Sequence, residues 1–436
     1  CDGFGWGYLL MGLPLLALGG GGGGGGSPAP APTPTSHTFR HVDFAQDRGV
    51  SGGLLGDDIL NINTTGYTTV NVVLDGSEHI DTENVAYNSG YDQAINFDGS
   101  DNISTFGITV TDGDAVKLSV DYSDAADLST ASLTVNEGSY VYADGGRALI
   151  ELNKDHAAAT VSVVSGGIYV SGGNQLVDVT GDHAVVNVSV DGDSELYLEG
   201  SGAANINVNG DDAHVALDVT AGGYLFVNSG GVTAIEVSGD RAHIDVTTDD
   251  AGFYVSSGGG FVDLHGANGV VDFSLVNGAS GSAMLSGGTN FINTVGSTNQ
   301  VNLSVQDSWL QFSGGQDSGN VINMLGNHSV ATITVDNGYL DMQSIYPADY
   351  QAGSGGYLAA ITGNNSSVDV TVENNGLLSL WGSGAGGVFV RGNDAEVTLS
   401  SVGSNYSGSG VHYSSGGTGL INVIGARAHV DVTVGN

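Results

Sequence analysis

The stretch GDHAVVNVSV, at Gly181–Val190, returns along this chain with conserved spacing of its glycine, polar and apolar positions. Its clearest other copies are GDDAHVALDV (Gly210–Val219), GDRAHIDVTT (Gly239–Thr248), GNNSSVDVTV (Gly363–Val372) and GARAHVDVTV (Gly425–Val434). A repeat of roughly 25 to 37 residues is too small to bury its own apolar face. The sequence therefore predicts a stacked solenoid and not a series of globular domains.

We call the first position of each copy, a glycine in the copies quoted above, its anchor. The first strand of each repeat begins about five residues after the anchor. In this strand, apolar residues such as Val186, Val188 and Val190 alternate with polar ones such as Asn187 and Ser189. Period-two alternation predicts a strand with one face in a core and one in water. Twelve such anchors are found near residues 101, 126, 154, 181, 210, 239, 266, 296, 326, 363, 392 and 425.

Two further strands follow within each repeat. A second precedes a glycine-rich corner, as in YVYADGG (Tyr140–Gly146) and LFVNSGG (Leu225–Gly231), and a third runs into the next anchor, as in VDVTG ending at Gly181. Three strands per turn, all in one direction, predict an all-β fold, a three-sided parallel β-helix of about 12 to 13 rungs. Right-handed coiling is expected from the general chirality of parallel crossovers.

We divide the 436 residues into three segments. Residues 1–36 hold an apolar run, eight consecutive glycines and SPAPAPTPT, which predict a flexible tether. Residues 37–100 are expected to form an N-terminal cap with an imperfect first coil, in which AINFDG (Ala94–Gly99) resembles a later third strand. Residues 101–436 carry the repeats. Cys1 leaves two alternatives open, a mature lipoprotein or a chain cut at this point.

Composition excludes several kinds of partner. The chain has eight Lys and Arg residues and a net charge of −39, so it lacks the clustered cations that nucleic acid requires. The single cysteine allows no disulfide framework and no cysteine-ligated metal. We expect contact with a membrane only through the N-terminus or through an anchor domain outside this sequence.

The residues that directly follow the anchors form a column of acidic and amide side chains along the repeats. Its members are Asp127, Asp155, Asp182, Asp211 and Asp240, then Asn327, Asn364 and Asn393. Stacking would place the carboxylates about 5 Å apart, where they repel by roughly 1 to 3 kcal/mol per pair. We expect each Asp to accept backbone N–H groups of its own turn. The alternative is a ladder of weak calcium sites, although the glycine-rich calcium repeat motif is absent.

Histidines also recur in register. His156 and His183 lie two residues after their anchors, and His214, His243 and His429 lie four after theirs. Because no third His lies near any pair, we expect stacked imidazoles in turns and not a metal centre. The sequence therefore predicts no metal-binding residues and no cofactor.

No catalytic residue is assigned. The one G-x-S-x-G match, Gly49–Gly53, lies in an irregular segment and lacks a strand-to-helix elbow. A polysaccharide lyase needs clustered cations, but Arg147, Arg241, Arg391, Arg427, Lys117 and Lys154 are scattered. A hydrolase needs converging carboxylates, and the neighbouring pairs Asp211/Asp212 and Asp249/Asp250 point to different sides.

Aromatic residues recur on the second strand: Tyr140, Tyr142, Tyr169, Tyr197, Phe226 and Tyr254. Two interpretations stay open. The rings fill the core, or those that alternate outward form a stripe suited to stacking on sugars or packing against another rod.

The strings NSGGVTAIEVSG (Asn228–Gly239) and VSGGNQLVDVTG (Val170–Gly181) resemble the passenger regions of bacterial autotransporter adhesins. The resemblance covers about residues 54 to 436 and implies a secreted or outer-membrane-associated surface protein. It implies an adhesin or structural filament, without catalysis, that binds a glycan or protein on a host or neighbouring cell or associates with other rods. The alternative is a glycan-processing β-helix enzyme or a glycan-binding spike.

Overall fold

The computed structural model describes the backbone of five strands before residue 104 and most residues from 104 to 435. The later gaps are residues 112–114, 122–127, 145–147, 173–174, 200–203, 229–232, 258–259, 286–289, 315–318, 345–355, 383–385, 403–409 and 416–418. The predicted tether up to residue 35 lies outside the described residues.

Three sheets run along the repeats, and each takes one strand per coil. We number them by strand position within the repeat. The 14 strands of sheet 1 are β1 (Ser36–Phe39), β4 (Thr69–Asp75), β6 (Thr105–Thr111), β8 (Thr130–Val135), β11 (Ala158–Val163), β14 (Val185–Val190), β17 (His214–Thr220), β20 (His243–Asp249), β23 (Val270–Val276), β26 (Gln300–Gln306), β29 (Val330–Asp336), β32 (Ser367–Glu373), β35 (Glu396–Val402) and β38 (His429–Val434).

Sheet 2 precedes the glycine-rich corner. Its 14 strands are β2 (Val50–Ser51), β3 (Asp58–Asn63), β5 (Gln93–Asp98), β7 (Ala115–Asp121), β9 (Ser139–Asp144), β12 (Gly166–Ser171), β15 (Glu195–Glu199), β18 (Tyr224–Asn228), β21 (Gly252–Ser257), β24 (Ser280–Leu285), β27 (Trp309–Gly314), β30 (Tyr339–Ser344), β33 (Leu377–Gly382) and β36 (Gly410–Ser415).

Sheet 3 leads into the anchors. Its ten strands are β10 (Ala148–Leu152), β13 (Gln175–Thr180), β16 (Ile206–Asn209), β19 (Ile235–Ser238), β22 (Val262–His265), β25 (Ile292–Val295), β28 (Ile322–Leu325), β31 (Tyr357–Thr362), β34 (Gly386–Arg391) and β37 (Ile421–Ile424).

The stacking is parallel and in register. Val188 of β14 pairs with Val161 of the preceding coil and with Leu217 of the next, so equivalent positions lie over one another. The short β2 is the exception among the described strands, because it pairs antiparallel with β3. The predicted all-β, three-sided parallel β-helix is confirmed. From residue 101 onward, sheet 1 supplies one strand for each of the twelve predicted anchors.

The anchor glycines are required by contact between coils. A Cβ on Gly210 would lie 2.0 Å from the carbonyl oxygen of Gly181, and one on Gly239 would lie 2.0 Å from that of Gly210. Real Cβ atoms do not approach this closely, so any side chain would push the coils apart. The same clash, at 1.8 to 2.2 Å, recurs at Gly181, Gly266, Gly296, Gly326, Gly363, Gly392 and Gly425.

The core fills the space between the three sheets. The alternating first-strand residues Val186, Val188 and Leu217 are at most 1% exposed, as predicted. A phenylalanine cluster joins successive coils within the core, and Gly281 leaves room for Phe253, since a Cβ there would lie 2.1 Å from its ring. The rings in contact are Phe253, Phe261, Phe273, Phe291 and Phe312.

One prediction about the first coils is wrong. The segment AINFDG was expected to resemble a third strand, but β5 pairs with β3 and β7 in sheet 2. In the last described strand, β38, Val430 and Val432 pair with the buried Val397 and Leu399 and are themselves 44% and 50% exposed. No helix in the described part of the chain is long and apolar enough to cross a lipid bilayer.

Candidate functional site

The acidic column joins successive coils to one another. The Oδ1 of Asp155 accepts the backbone N–H of Asp182 at 3.0 Å, and the Oδ1 of Asp182 accepts that of Asp211 at 2.9 Å. Asp211 and Asp240 continue the series, at 2.9 Å and 2.7 Å, to the N–H groups of Asp240 and Ala267. The prediction that each Asp serves its own turn is wrong, because stacking brings the N–H of the next coil within reach. Asp127 lies outside the described residues.

The amides later in the column bond in the same way. Asn327, Asn364 and Asn393 accept the N–H groups of Asn364, Asn393 and Ala426 at 2.8 to 2.9 Å. Asp and Asn are thus interchangeable here, which indicates a structural role for the side-chain oxygen. Within the part of the chain that the structure describes, no column residue joins a group of three His, Cys or acidic ligand atoms close enough for one metal ion.

The side-chain amides of asparagines donate hydrogen bonds to other acidic residues on neighbouring coils. The side-chain NH₂ group of Asn207 donates to Asp178 on the coil before it at 2.8 Å, and that of Asn293 donates to Asp263 at 2.8 Å. Where an Asp would otherwise face an Asp, an Asn replaces the repulsion with a charge-assisted hydrogen bond. Further pairs are Asp249–Asn277, Asp272–Asn302, Asp307–Asn337 and Asp336–Asn374.

The two histidine pairs adopt different geometries. His156 and His183 stack face to face, with ring centroids 4.7 Å apart and an interplanar angle of 2°. Both have left-handed backbone conformations, φ 60° and 59°, at the corner after the anchor. This pair confirms the prediction of stacked imidazoles in a turn. The same prediction is wrong for His214 and His243, which begin β17 and β20 and meet edge to face at 88°.

Two carboxylates lie beside the His214–His243 pair, on the outer face of sheet 1. Nε2 of His243 is 3.1 Å from Oδ1 of Asp245 and 2.9 Å from Oδ2 of Asp272, whereas Nε2 of His214 is 3.6 Å from Oδ2 of Asp245. The side-chain NH₂ of Asn302 donates to the other oxygen of Asp272 at 2.5 Å. All of these groups are partly exposed. The sequence analysis named neither Asp245 nor Asp272. The spacing of two residues on β20 could have placed Asp245 beside His243, whereas Asp272 lies 29 residues from His243 on the next strand of sheet 1.

The carboxyl groups of Asp218 and Asp212 have pKa values shifted in opposite directions. The pKa of Asp218 is raised by partial desolvation and by the negative charge of Asp245, although hydrogen bonding to Thr247 opposes this. The pKa of Asp212 is lowered by hydrogen bonds from Arg241, which donates through Nε and an NH₂ group at 2.7 Å each. Arg427 donates to Asp394 in the same bidentate manner.

Several of the charged residues that could have served lyase or hydrolase chemistry are engaged in contacts between coils. Asp211, Asp212 and Asp249 are all bonded to the next coil. Arg241 and Arg427 neutralise neighbouring carboxylates and are not grouped together. Arg147 lies outside the described residues, and of the Gly49–Gly53 motif only the backbone of β2 is described.

The second-strand aromatics form a stripe on the outer face of sheet 2. Each ring contacts the next at centroid separations of 5.0, 4.6, 5.2 and 5.5 Å, in the order Tyr142, Tyr169, Tyr197, Phe226 and Tyr254; the contacts are stacked except for Tyr197–Phe226, which is tilted by 36°. All five are half-buried, while the residues between them face the core. The outward interpretation is therefore correct, and the core interpretation is wrong for these residues. Because neighbouring rings cover one another's faces, the stripe presents ring edges and phenolic groups.

Acidic groups border the aromatic stripe. The hydroxyl of Tyr169 donates to Oε2 of Glu195 at 2.7 Å. Burial raises the pKa of Tyr142, Tyr169, Tyr197 and Tyr224, and the charge of Glu195 adds to the effect. The stripe is thus an amphipathic surface in which the pKa values of Tyr142, Tyr169 and Tyr197 are raised. No family model, curated protein or solved structure matches this chain.

Proposed function

We propose that this chain is an adhesive or structural rod of the cell surface that works by association along its sides and not by turnover. The observation that carries the proposal is the aromatic stripe, which spans five successive coils of sheet 2 on the outside of the solenoid. A hydrophobic stripe with polar borders is the kind of surface that protein contacts use.

The geometry of the stripe favours one class of partner. Sugars stack on exposed ring faces, but here the faces of Tyr169 and Tyr197 cover each other at 4.6 Å. Ring edges and phenolic groups suit a protein surface or a second rod better. We therefore place proteins of a host or neighbouring cell, or other copies of this rod, before glycans among the partners.

Because successive coils present similar surfaces, the solenoid offers many weak contacts in a row along its side. When one contact forms, the following contacts become intramolecular, so binding strengthens with the number of coils engaged. The net charge of −39 keeps the rods dispersed until such contacts form. The passenger-like strings Val170–Gly181 and Asn228–Gly239 support secretion and display at an outer membrane.

The test is an attachment assay with the full chain coupled to beads. Tyr169, Tyr197 and Tyr254 are changed to serine singly and together, because Ser282 occupies the same column one coil beyond Tyr254. The control carries Thr332→Ala, Thr334→Ala and Thr398→Ala on the outer face of sheet 1. We expect attachment to matrix proteins, or bead clumping, to fall stepwise with each serine and to be unchanged in the control.

An unchanged attachment in the triple serine variant, with the fold intact by circular dichroism, would refute the stripe as the contact surface. Release of reducing sugar from a polysaccharide by the unaltered chain would refute association without turnover.

One observation favours the enzyme alternative. Asp218 lies near Asp245 on the outer face of sheet 1 and has a raised pKa, and inverting glycosidases use a carboxyl group of raised pKa as general acid opposite a second carboxylate. The second candidate is therefore a glycan hydrolase with Asp218 as acid and Asp245 as base. It predicts sugar release that Asp218→Asn abolishes and that the triple serine variant keeps.

A further inference from the structure

We propose that His214, His243 and Asp245 bind a first-row divalent metal ion of the zinc class on the outer face of sheet 1. Each residue offers one ligand atom, and these three atoms lie within 4.8 Å of one another. The site bridges two coils, because His214 belongs to β17 whereas His243 and Asp245 belong to β20.

The separations match a tetrahedral ion. Zinc bonds to His nitrogen and carboxylate oxygen at about 2.0 to 2.2 Å, which places neighbouring ligand atoms about 3.4 Å apart. The two oxygens of Asp245 lie close to this spacing, with Oδ1 3.1 Å from His243 Nε2 and Oδ2 3.6 Å from His214 Nε2. One ligand atom from each of the three residues already lies within 4.8 Å of the other two, so movements of about an ångström in these partly exposed side chains admit the ion. Three protein ligands leave a fourth position for water.

The comparison with the second histidine pair supports this assignment. His156 and His183 stack with parallel rings, and among the described residues they belong to no group of three ligand atoms close enough for one ion. The edge-to-face arrangement of His214 and His243, at 88°, instead lets the Nε2 atoms of both rings face one carboxylate. The two pairs occupy different positions of the repeat, a corner for His156 and His183 and the start of a strand for His214 and His243.

The donor set selects the ion. Imidazole suits zinc, copper, nickel and cobalt, whereas calcium and magnesium prefer oxygen ligands only. Asp272 holds Nε2 of His243 in the metal-free arrangement and is itself oriented by Asn302. To bind the ion through Nε2, the His243 ring would carry its proton on Nδ1 and give up the contact with Asp272. Asp272 would then remain beside the ion as a second negative charge outside the ligand set.

The test uses the full chain and zinc chloride alone, with binding followed by competition against a chromophoric chelator. We expect one tight equivalent per chain. Loss of that equivalent is expected in His214→Ala, His243→Ala and Asp245→Ala, and a weakening of about tenfold in Asp272→Asn. The His156→Ala/His183→Ala double variant is the matched control and should retain it.

Two further readouts separate binding from loss of fold. Cobalt should give the intense visible absorption of a tetrahedral ion, and it should do so only when all three ligands are present. Zinc should raise the melting temperature of the unaltered chain, because it binds the folded state alone. Absence of a zinc equivalent, or its persistence in His214→Ala and His243→Ala chains that keep their circular dichroism, would overturn the proposal.

Discussion

The backbone N–H of Asp211 donates to the Oδ1 of Asp182, the equivalent residue of the preceding coil, over 2.9 Å. This bond continues the parallel ladder through a corner, where the backbone alone would leave the N–H without a strand partner. It also brings each peptide dipole up to a carboxylate, which offsets part of the repulsion between stacked acids. A column that looks like a row of cation ligands is thus a set of clamps between coils.

The clamp predicts different outcomes for two substitutions at Asp182. Asp182→Ala removes the acceptor and should lower the free energy of unfolding by about 0.5 to 1 kcal/mol. Asp182→Asn keeps an oxygen in place, as Asn364 does for Asn393 at 2.8 Å, and should be nearly silent. Urea unfolding measures both. Equal losses of unfolding free energy in the two variants would show that the charge of Asp182 matters and not its hydrogen bond. Calcium provides a second test: if it raises the melting temperature of the unaltered chain more than that of Asp182→Ala, the column binds calcium.

The anchor glycines predict a graded series of alanine variants. Gly210→Ala places a Cβ 2.0 Å from a backbone oxygen and should cost about 3 kcal/mol or more, because the neighbouring coil has no flexible atom to move. Gly138→Ala meets no atom within 4 Å but has φ +77°, so about 1 to 2 kcal/mol is expected. Gly419→Ala meets only ordinary contacts, from 3.4 Å, and serves as the control. Denaturant midpoints in any other order would contradict the close approach of coils.

Asp218 and Asp212 predict opposite dependences of stability on pH. The pKa of Asp218 is raised, so the folded chain keeps its proton longer than the unfolded chain, and stability falls as pH rises from the ordinary carboxyl value to the raised one. Asp218→Asn should therefore increase stability at neutral pH and flatten this region.

The pKa of Asp212 is lowered by Arg241, so the folded chain holds that proton less tightly. Its contribution is complete above the ordinary carboxyl value, about 3.9, and is lost as pH falls through the lowered one. Asp212→Asn should reduce stability at neutral pH and flatten only the most acidic region. Urea midpoints over a pH series measure both variants, and profiles that shift in the same direction would contradict the assignment.

The aromatic stripe predicts two classes of tyrosine in alkaline titration. Tyr142, Tyr169, Tyr197 and Tyr224 have raised pKa values, so they should stay protonated while solvent-exposed phenols ionise near the ordinary value of about 10. Since the unfolded chain releases these protons first, stability should fall as pH rises above about 10. Phenolate absorbance follows the titration. Glu195→Gln should lower the delayed fraction, and a single uniform transition in the unaltered chain would contradict the half-buried stripe.

The repeat pattern by itself determined the fold. Period-two alternation at Val186, Val188 and Val190 sets which side of a strand is buried, and a glycine at each anchor marks where coils touch. Both signals are local. The alternation can be read within a single strand of six residues, and a glycine is visible in the sequence as a position without a side chain. The three-strand repeat and its parallel stacking could therefore be predicted without coordinates.

Contacts between coils were decided only by the tertiary structure. Asp182 clamps Asp211, and Asp245 meets His214, across separations of 29 and 31 residues, and the corners between these strands vary in length. No local pattern states which side chain of one coil lies over which of the next, or how a ring rotates there. The pairs His156–His183 and His214–His243 demonstrate the difference. The first pair lies in left-handed corners and stacks, whereas the second begins two strands and faces a carboxylate.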